Sequence, residues 1–240
     1  MDSCSLLSFS FLIIVMTVLA SKDKDELIKR DQNSLLSFRS SIVSDPHNSL
    51  STWVSSSTSS SSVDVCNWFG VKCNNDSTRV IELDISGQDL RGEISPSIAN
   101  LTALTVLDLS RNLFTGEIPR EIGSLHKTLK QLSLSENLLQ GNIPHELGSL
   151  NRLVYLDLGT NRLTGQIPVE LFCNGSSSSL QYIDISNNSL TGEIPLKNHC
   201  HLRELRFLLL WSNKLVGDVP PSLSNSTNLK WIDLESNLLT

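Results

Sequence analysis

The chain has 240 residues, 39% of them hydrophobic but only 5% aromatic, and a formal net charge of −6. That length allows one large domain or two small ones, with a core built from Leu and Ile more than from rings. The negative balance argues against sequence-independent nucleic-acid binding, which needs clustered Lys and Arg facing phosphates.

The first element is an uncharged apolar run, SLLSFSFLIIVMTVLA, that ends at Ala20 and gives way at once to SKDKDE. It reads as a secretory signal peptide, residues 1–20, although the segment before it carries Asp2 and no Lys or Arg. An uncleaved anchor is the alternative, but the run is short against the roughly 20 residues a bilayer span needs. Cys4 leaves with a cleaved signal, and Cys66, Cys73, Cys173 and Cys200 remain, an even set suited to an oxidising compartment. Asn-x-Ser/Thr sequons at Asn75, Asn100, Asn174, Asn187 and Asn225 are candidate glycosylation sites and lend the secretory route weak support.

Residues 21–78 carry no repeat. NSLLSFRSSIVSDP places Leu35, Phe38 and Ile42 on one helical face, with Asn33 as N-cap and Asp45-Pro46 as the stop. Trp53 and a Ser-rich tract follow, the tract reading as a loop without fixed structure. Then comes CNWFGVKC, in which Cys66 and Cys73 can tie the segment down, while Trp53 and Trp68 offer area to cover a neighbouring core. Zinc binding by these cysteines is the competing reading, but no second ligand pair has suitable spacing.

Residues 79–240 repeat themselves. Units begin at Val80, Leu104, Leu129, Leu153, Leu180, Leu205 and Leu229, the six complete ones 24 to 27 residues long. Apolar residues stand at offsets 0, 3 and 5 from each start, and those at 3 and 5 share one face of a short strand. Offset 8 is Asn in six units: Asn112, Asn137, Asn161, Asn188, Asn213 and Asn237, with Gln88 in the first. An amide both donates and accepts, so at a bend it can satisfy backbone groups of its own coil and the next. Offset 12 is Gly in every complete unit, followed by Ile-Pro or Val-Pro in five. Gly admits backbone angles other residues resist, and Pro fixes a bend and blocks a helix. One such coil cannot bury its apolar face alone, so the coils must stack.

The wording LxGxIPxxLxxL resembles the plant-specific class of leucine-rich repeats. The segment SLLSFRSSIVSDP…LSTW…CNWFGVKC resembles the N-terminal cap of plant receptor kinases and receptor-like proteins. The resemblance implies an α/β repeat solenoid, a right-handed superhelix with a parallel concave β-sheet and a helical, disulfide-tied N-terminal cap. Its function would be recognition of an extracellular peptide, protein or microbial molecule in defence or development, at the cell surface or in the apoplast. A co-receptor leucine-rich-repeat kinase is an implied partner. Thr240 stands at offset 11 of the seventh unit, one residue before the expected Gly, with no closing cap or membrane span after it. This reads as part of a longer receptor, its membrane link and kinase domain in the missing C-terminal part. A secreted inhibitor of a microbial cell-wall enzyme and a truncated decoy receptor are the alternatives.

No catalytic constellation stands out. The five His are scattered apart from HCH at 199–201, no GxSxG elbow is present, and no kinase signature occurs. No catalytic residue, cofactor or metal is therefore expected.

Offset arithmetic yields two further expectations. Cys173 and Cys200 both fall at offset 20 of adjacent units, and neighbouring coils spaced about 4.8 Å apart bring them within disulfide range. Asn100 and Asn225 also fall at offset 20, on the convex side, while Asn187 falls at the concave rim. On the concave face, offsets 2, 4 and 6 point outward. Offset 2 carries Tyr155, Tyr182, Phe207 and Trp231 in successive units, with Leu209 and Trp211 beside Phe207. Offset 4 carries Asp157, Asp184 and Asp233 alongside. A row of outward rings in so aromatic-poor a chain is the candidate ligand-binding ridge.

Overall fold

A computed structural model describes residues 24–55, 64–173, 179–196, 200 and 202–240. The signal peptide, most of the Ser tract, Asn174 and the two His of HCH lie outside the described residues. Eight strands make the concave sheet, in the order Val71–Cys73, Val80–Asp84, Val106–Asp108, Gln131–Ser133, Tyr155–Asp157, Tyr182–Asp184, Phe207–Leu209 and Trp231–Asp233. The first pair is antiparallel and every later pair is parallel. Register is set by the repeat: Leu83, Leu107, Leu132, Leu156, Ile183 and Leu208 oppose one another in turn and are fully buried. A one-residue slip would turn this whole apolar row to solvent.

Short turns of helix return the chain on the other side of each coil: Pro96–Asn100, Arg120–Leu125, His145–Ser149, Glu170–Cys173 and Pro221–Asn225. Between sheet and helical turns, short strands such as Arg91–Glu93, Leu113–Thr115, Gln140–Asn142 and Arg162–Thr164 pair laterally. The Gly at offset 12 is required where this lateral strand turns. At Gly165, φ is +74°, and a Cβ would collide with Asn142 Oδ1.

The Asn column forms a continuous ladder, but it faces the other way from the sequence expectation. Asn137 Oδ1 accepts from Phe114 N at 3.0 Å, and its amide donates to Leu109 O, both in the preceding coil. The same amide reaches the carbonyls of Leu134 and Ser135 in its own coil. Asn161, Asn188, Asn213 and Asn237 repeat the pattern, always backward. The first coil has no coil behind it, and Gln88 there accepts instead from Ser49 Oγ of the cap at 2.6 Å.

In the cap, the helix covers residues 24–40, so Asn33 is an exposed mid-helix residue and not its N-cap. The helix ends before Ile42, which enters a strand, Ile42–Ser44, antiparallel to Arg91–Glu93. Asp45 does not stop the helix; its carboxylate accepts from the amides of Ser49 and Leu50 and opens the next turn. Phe38, Trp53, Trp68 and Phe114 form one buried aromatic cluster, with Trp53 and Trp68 stacked at 5.6 Å. Disulfides join Cys66 to Cys73 and Cys173 to Cys200, with Cα separations of 5.4 and 4.7 Å.

The cap is fastened by a contact that periodicity did not reveal. Asp31, fully buried on the cap helix, accepts from Arg79 Nε at 3.0 Å and Nη2 at 3.2 Å, and from the amide of Val80 at 2.8 Å. Arg79 Nη2 also donates to Thr102 of the next coil. Removing one partner of a buried ion pair leaves the other charge uncompensated. Asp31→Ala is therefore expected to cost about 3–5 kcal/mol in chemical denaturation. Arg30→Ala, which breaks only an exposed pair with Glu26, should cost less than about 0.5 kcal/mol.

Candidate ligand-binding face

The outward side chains of the concave sheet are positioned by strand register alone. Tyr155, Tyr182, Phe207 and Trp231 stand directly opposite one another in successive strands. Tyr155 and Tyr182 stack at 4.4 Å with planes 10° apart, and Phe207 leans on Tyr182 at 5.9 Å and 45°. Parallel coils make this stacking almost unavoidable, because identical offsets lie one strand spacing apart. Phe207 is 37% exposed, so the ridge presents ring edge to solvent at this coil. Leu209 and Trp211, beside Phe207, are half-buried.

The acidic column has a local task that the sequence reading missed. Asp84, Asp108 and Asp184 each accept, through one carboxylate oxygen, from both the amide and the hydroxyl of the Ser two residues on. The signal was present in the recurring Asp-x-Ser of LDIS, LDLS and IDIS. Asp157 departs from this, because Gly159 stands where the Ser would be and only its amide reaches Asp157 Oδ1, at 3.1 Å. Asp157 Oδ2 is instead held from the preceding coil by Ser135 Oγ at 2.8 Å. Asp233 accepts from the amide of Glu235.

Each Tyr hydroxyl points along its own strand to an acid: Tyr155 to Asp157 at 3.4 Å and Tyr182 to Asp184 at 3.3 Å. Burial, and then the neighbouring carboxylates, push the Tyr182 hydroxyl up to about 12 and raise Tyr155 further in the same direction. Both therefore remain hydrogen-bond donors at any physiological pH. Burial is also the largest cause raising Asp157, with the Asp184 charge adding to it against the hydrogen bonds that lower it.

The other expected residues scatter around this face. Asn75, Asn100, Asn187 and Asn225 are exposed. Asn100 and Asn225 end helical turns on the convex side, while Asn187 sits at the concave rim with its amide near Thr160 Oγ1. Among the described residues, no group of three or more His, Cys, Asp or Glu side chains could hold a metal ion, and no helix is long and apolar enough to cross a membrane.

Comparison with known proteins supplies context for this face. Family models described as a leucine rich repeat N-terminal domain match residues 28–74, and leucine rich repeats match residues 102–163 and 179–197. A relative from Arabidopsis thaliana, named a leucine-rich repeat receptor-like serine/threonine-protein kinase, is 76% identical over 95% of this chain. The chain spans only 22% of that relative. Among solved structures, that of PEPR1–AtPEP1 superposes with a TM-score of 0.78 at 37% identity, covering 87% of this chain and 28% of that one. The BIR3–SERK2 complex from Arabidopsis thaliana gives 0.63 at 32% identity, covering 76% of this chain and 93% of that one.

The raised Asp157 has a testable consequence. Its folded pKa lies above the unfolded value of about 3.9, so its contribution to stability is fully present below that value and lost as pH rises through the folded pKa. Asp157→Asn should therefore become progressively less harmful, relative to the parent chain, between pH 3 and pH 7 in urea melts. The opposite trend would show the carboxylate to be stabilised by its donors more than it is penalised by burial.

Proposed function

The chain belongs to the leucine-rich-repeat family of plant receptor ectodomains, and on that premise we propose that it is the ligand-recognition module of a cell-surface receptor. The aromatic ridge of the concave face carries this reading: half-exposed rings, stacked on a face that none of the other described residues covers, supply the flat apolar area typical of binding hot spots. The ligand is an extracellular peptide or protein, and the site is Tyr155, Tyr182, Phe207, Leu209, Trp211 and Trp231. The 76% identical relative is named a receptor-like kinase, which favours a receptor over a secreted enzyme inhibitor. The PEPR1–AtPEP1 and BIR3–SERK2 structures support a peptide ligand and a co-receptor kinase as partner classes. The module faces the outside of the plasma membrane or the apoplast. Phosphoryl transfer is the activity for which the 76% identical relative is named, and this chain spans 22% of that relative. The Cys66–Cys73 and Cys173–Cys200 disulfides suit an oxidising compartment of this kind.

Tyr182→Ala and Phe207→Ala are expected to weaken ligand binding by more than about 1 kcal/mol each, read by calorimetry with a cognate ligand. Val106→Ala and Gln131→Ala, at the same offset in earlier coils, should change it by less than about 0.5 kcal/mol. Equal effects at all four positions would remove the ridge as the site.

A further inference from the structure

One groove straddles the seam between the cap and the repeats. It holds about 370 Å³ where the cap helix meets the first coil. The helix contributes Leu27, Arg30 and Ser34, which share one face by their spacing, and Asn33 beside them. The repeat side contributes Arg79, Asn100 and Thr102. Leu27 is half-buried and offers a small apolar patch, while Arg30 and Asn33 are exposed and offer donors. Arg79 gives Nε and Nη2 to Asp31 and Thr102, and its Nη1 donates to none of the described residues. The Arg79 side chain is 19% exposed, so that Nη1 is not sealed from the groove by burial. An apolar patch ringed by unused N–H donors suits an amphiphilic molecule rich in hydroxyl and carbonyl acceptors.

Asn100 is one of these lining residues and also the acceptor of a sequon, Asn100-Leu101-Thr102. It is exposed and ends the helical turn Pro96–Asn100. In the fold, Thr102 Oγ1 accepts from Arg79 Nη2 at 2.7 Å, so the sequon is free for sugar transfer only before the cap docks. In that transfer the Asn100 amide nitrogen bonds to C1 of an N-acetylglucosamine carried on a polyprenyl diphosphate. The C1–O bond to the diphosphate breaks, the lipid diphosphate leaves, and the amide gives up one proton. The first sugar then starts at the edge of the groove. A group tethered this closely acts at a high effective concentration, so contacts too weak to hold a free sugar suffice.

We infer that the first N-acetylglucosamine of a glycan on Asn100 lies in this groove, its apolar face on Leu27 and its polar groups on Asn33 and Arg79, and fastens the cap helix to the first coil. The sugar binds the docked cap and not the undocked one, so it stabilises the closed seam by linkage. Asn225 holds the same offset in the sixth unit, at the end of the turn Pro221–Asn225 and away from the cap, and serves as the internal control. The inference draws on the secretory route alone and is independent of the ligand-binding reading.

The test uses the chain secreted with uniform high-mannose glycans, from cells treated with a mannosidase inhibitor. Glycopeptide mass spectrometry should find Asn100 occupied. Peptide:N-glycosidase F cuts the Asn–sugar bond, and should release the native Asn100 glycan about 10-fold more slowly than that of Asn225, because cutting needs the seam to open. Denaturation should remove the difference. Leu27→Ser, which takes away the apolar patch, should bring native release at Asn100 within about 2-fold of that at Asn225. In hydrogen exchange, Asn100→Gln should speed the amides of residues 27–34 about 5-fold, and Asn225→Gln should leave them unchanged. The release rates need no change at Asn100, so they decide the matter even if Asn100→Gln folds poorly. An empty Asn100 beside an occupied Asn225 would overturn the inference and leave the secretory route intact. Equal native release at the two sites, a rate at Asn100 unmoved by Leu27→Ser, or cap-helix exchange indifferent to Asn100→Gln would each overturn it as well.

Discussion

Each coil of this protein lies one strand spacing from the next, and the buried or half-buried Asn at the bend holds that spacing. Its side chain closes the turn of its own coil and reaches back to a carbonyl and an amide of the coil before, as Asn161 does with Leu158, Leu134 and Leu139. A buried amide with all its bonds made contributes modestly, whereas the same backbone groups left bare cost about 1–3 kcal/mol each. The ladder therefore acts mainly by penalising every other arrangement. The apolar row from Leu83 to Leu208 is buried only because successive coils keep this distance and register.

The candidate ligand face is a by-product of the same constraint. A helix bundle or a twisted open sheet would fan its surface side chains apart. Here identical offsets repeat at strand spacing, so Tyr155 and Tyr182 are forced into a stack and Asp157 and Asp184 into neighbourhood. Evolution of such a surface needs no new backbone; a change of letter at offset 2, 4 or 6 rewrites one cell of a fixed grid. Gly159 illustrates this, since one missing hydroxymethyl group gives its coil a different hydrogen-bond pattern from those around it.

What was legible in the sequence was whatever repeats. Offsets 3 and 5, the Asn and the Gly recur often enough that their geometry follows from period and chemistry, and the adjacent-coil placement of Cys173 and Cys200 follows from the same count. What does not repeat was hidden. Asp31 is one acid in a charged helix, and nothing in its neighbours marks it as the buried partner of Arg79, 48 residues away. The cap helix already runs through residues 24–40, so Asn33 lies inside it, and no repeat marks that position. The ladder's direction was also invisible, since an amide at a bend can bond equally well forward or backward until the handedness of stacking is known. For the candidate site, the column of rings was readable by alternation. The Ser hydroxyls that bond most of these acids are hidden by the repeat itself, because Asp-x-Ser recurs there like any other part of the coil.

The most direct measurement is hydrogen exchange of Asn161→Ala compared with the parent chain. If the ladder sets the coil spacing, protection should fall in the coil of Asn161 and in the coils on either side, at the amides of Leu139 and Arg162 and through the strands bearing Tyr155 and Tyr182, while the cap helix keeps its protection. Loss confined to the single amide that Asn161 accepts from would contradict the account, and would assign the spacing to apolar stacking alone.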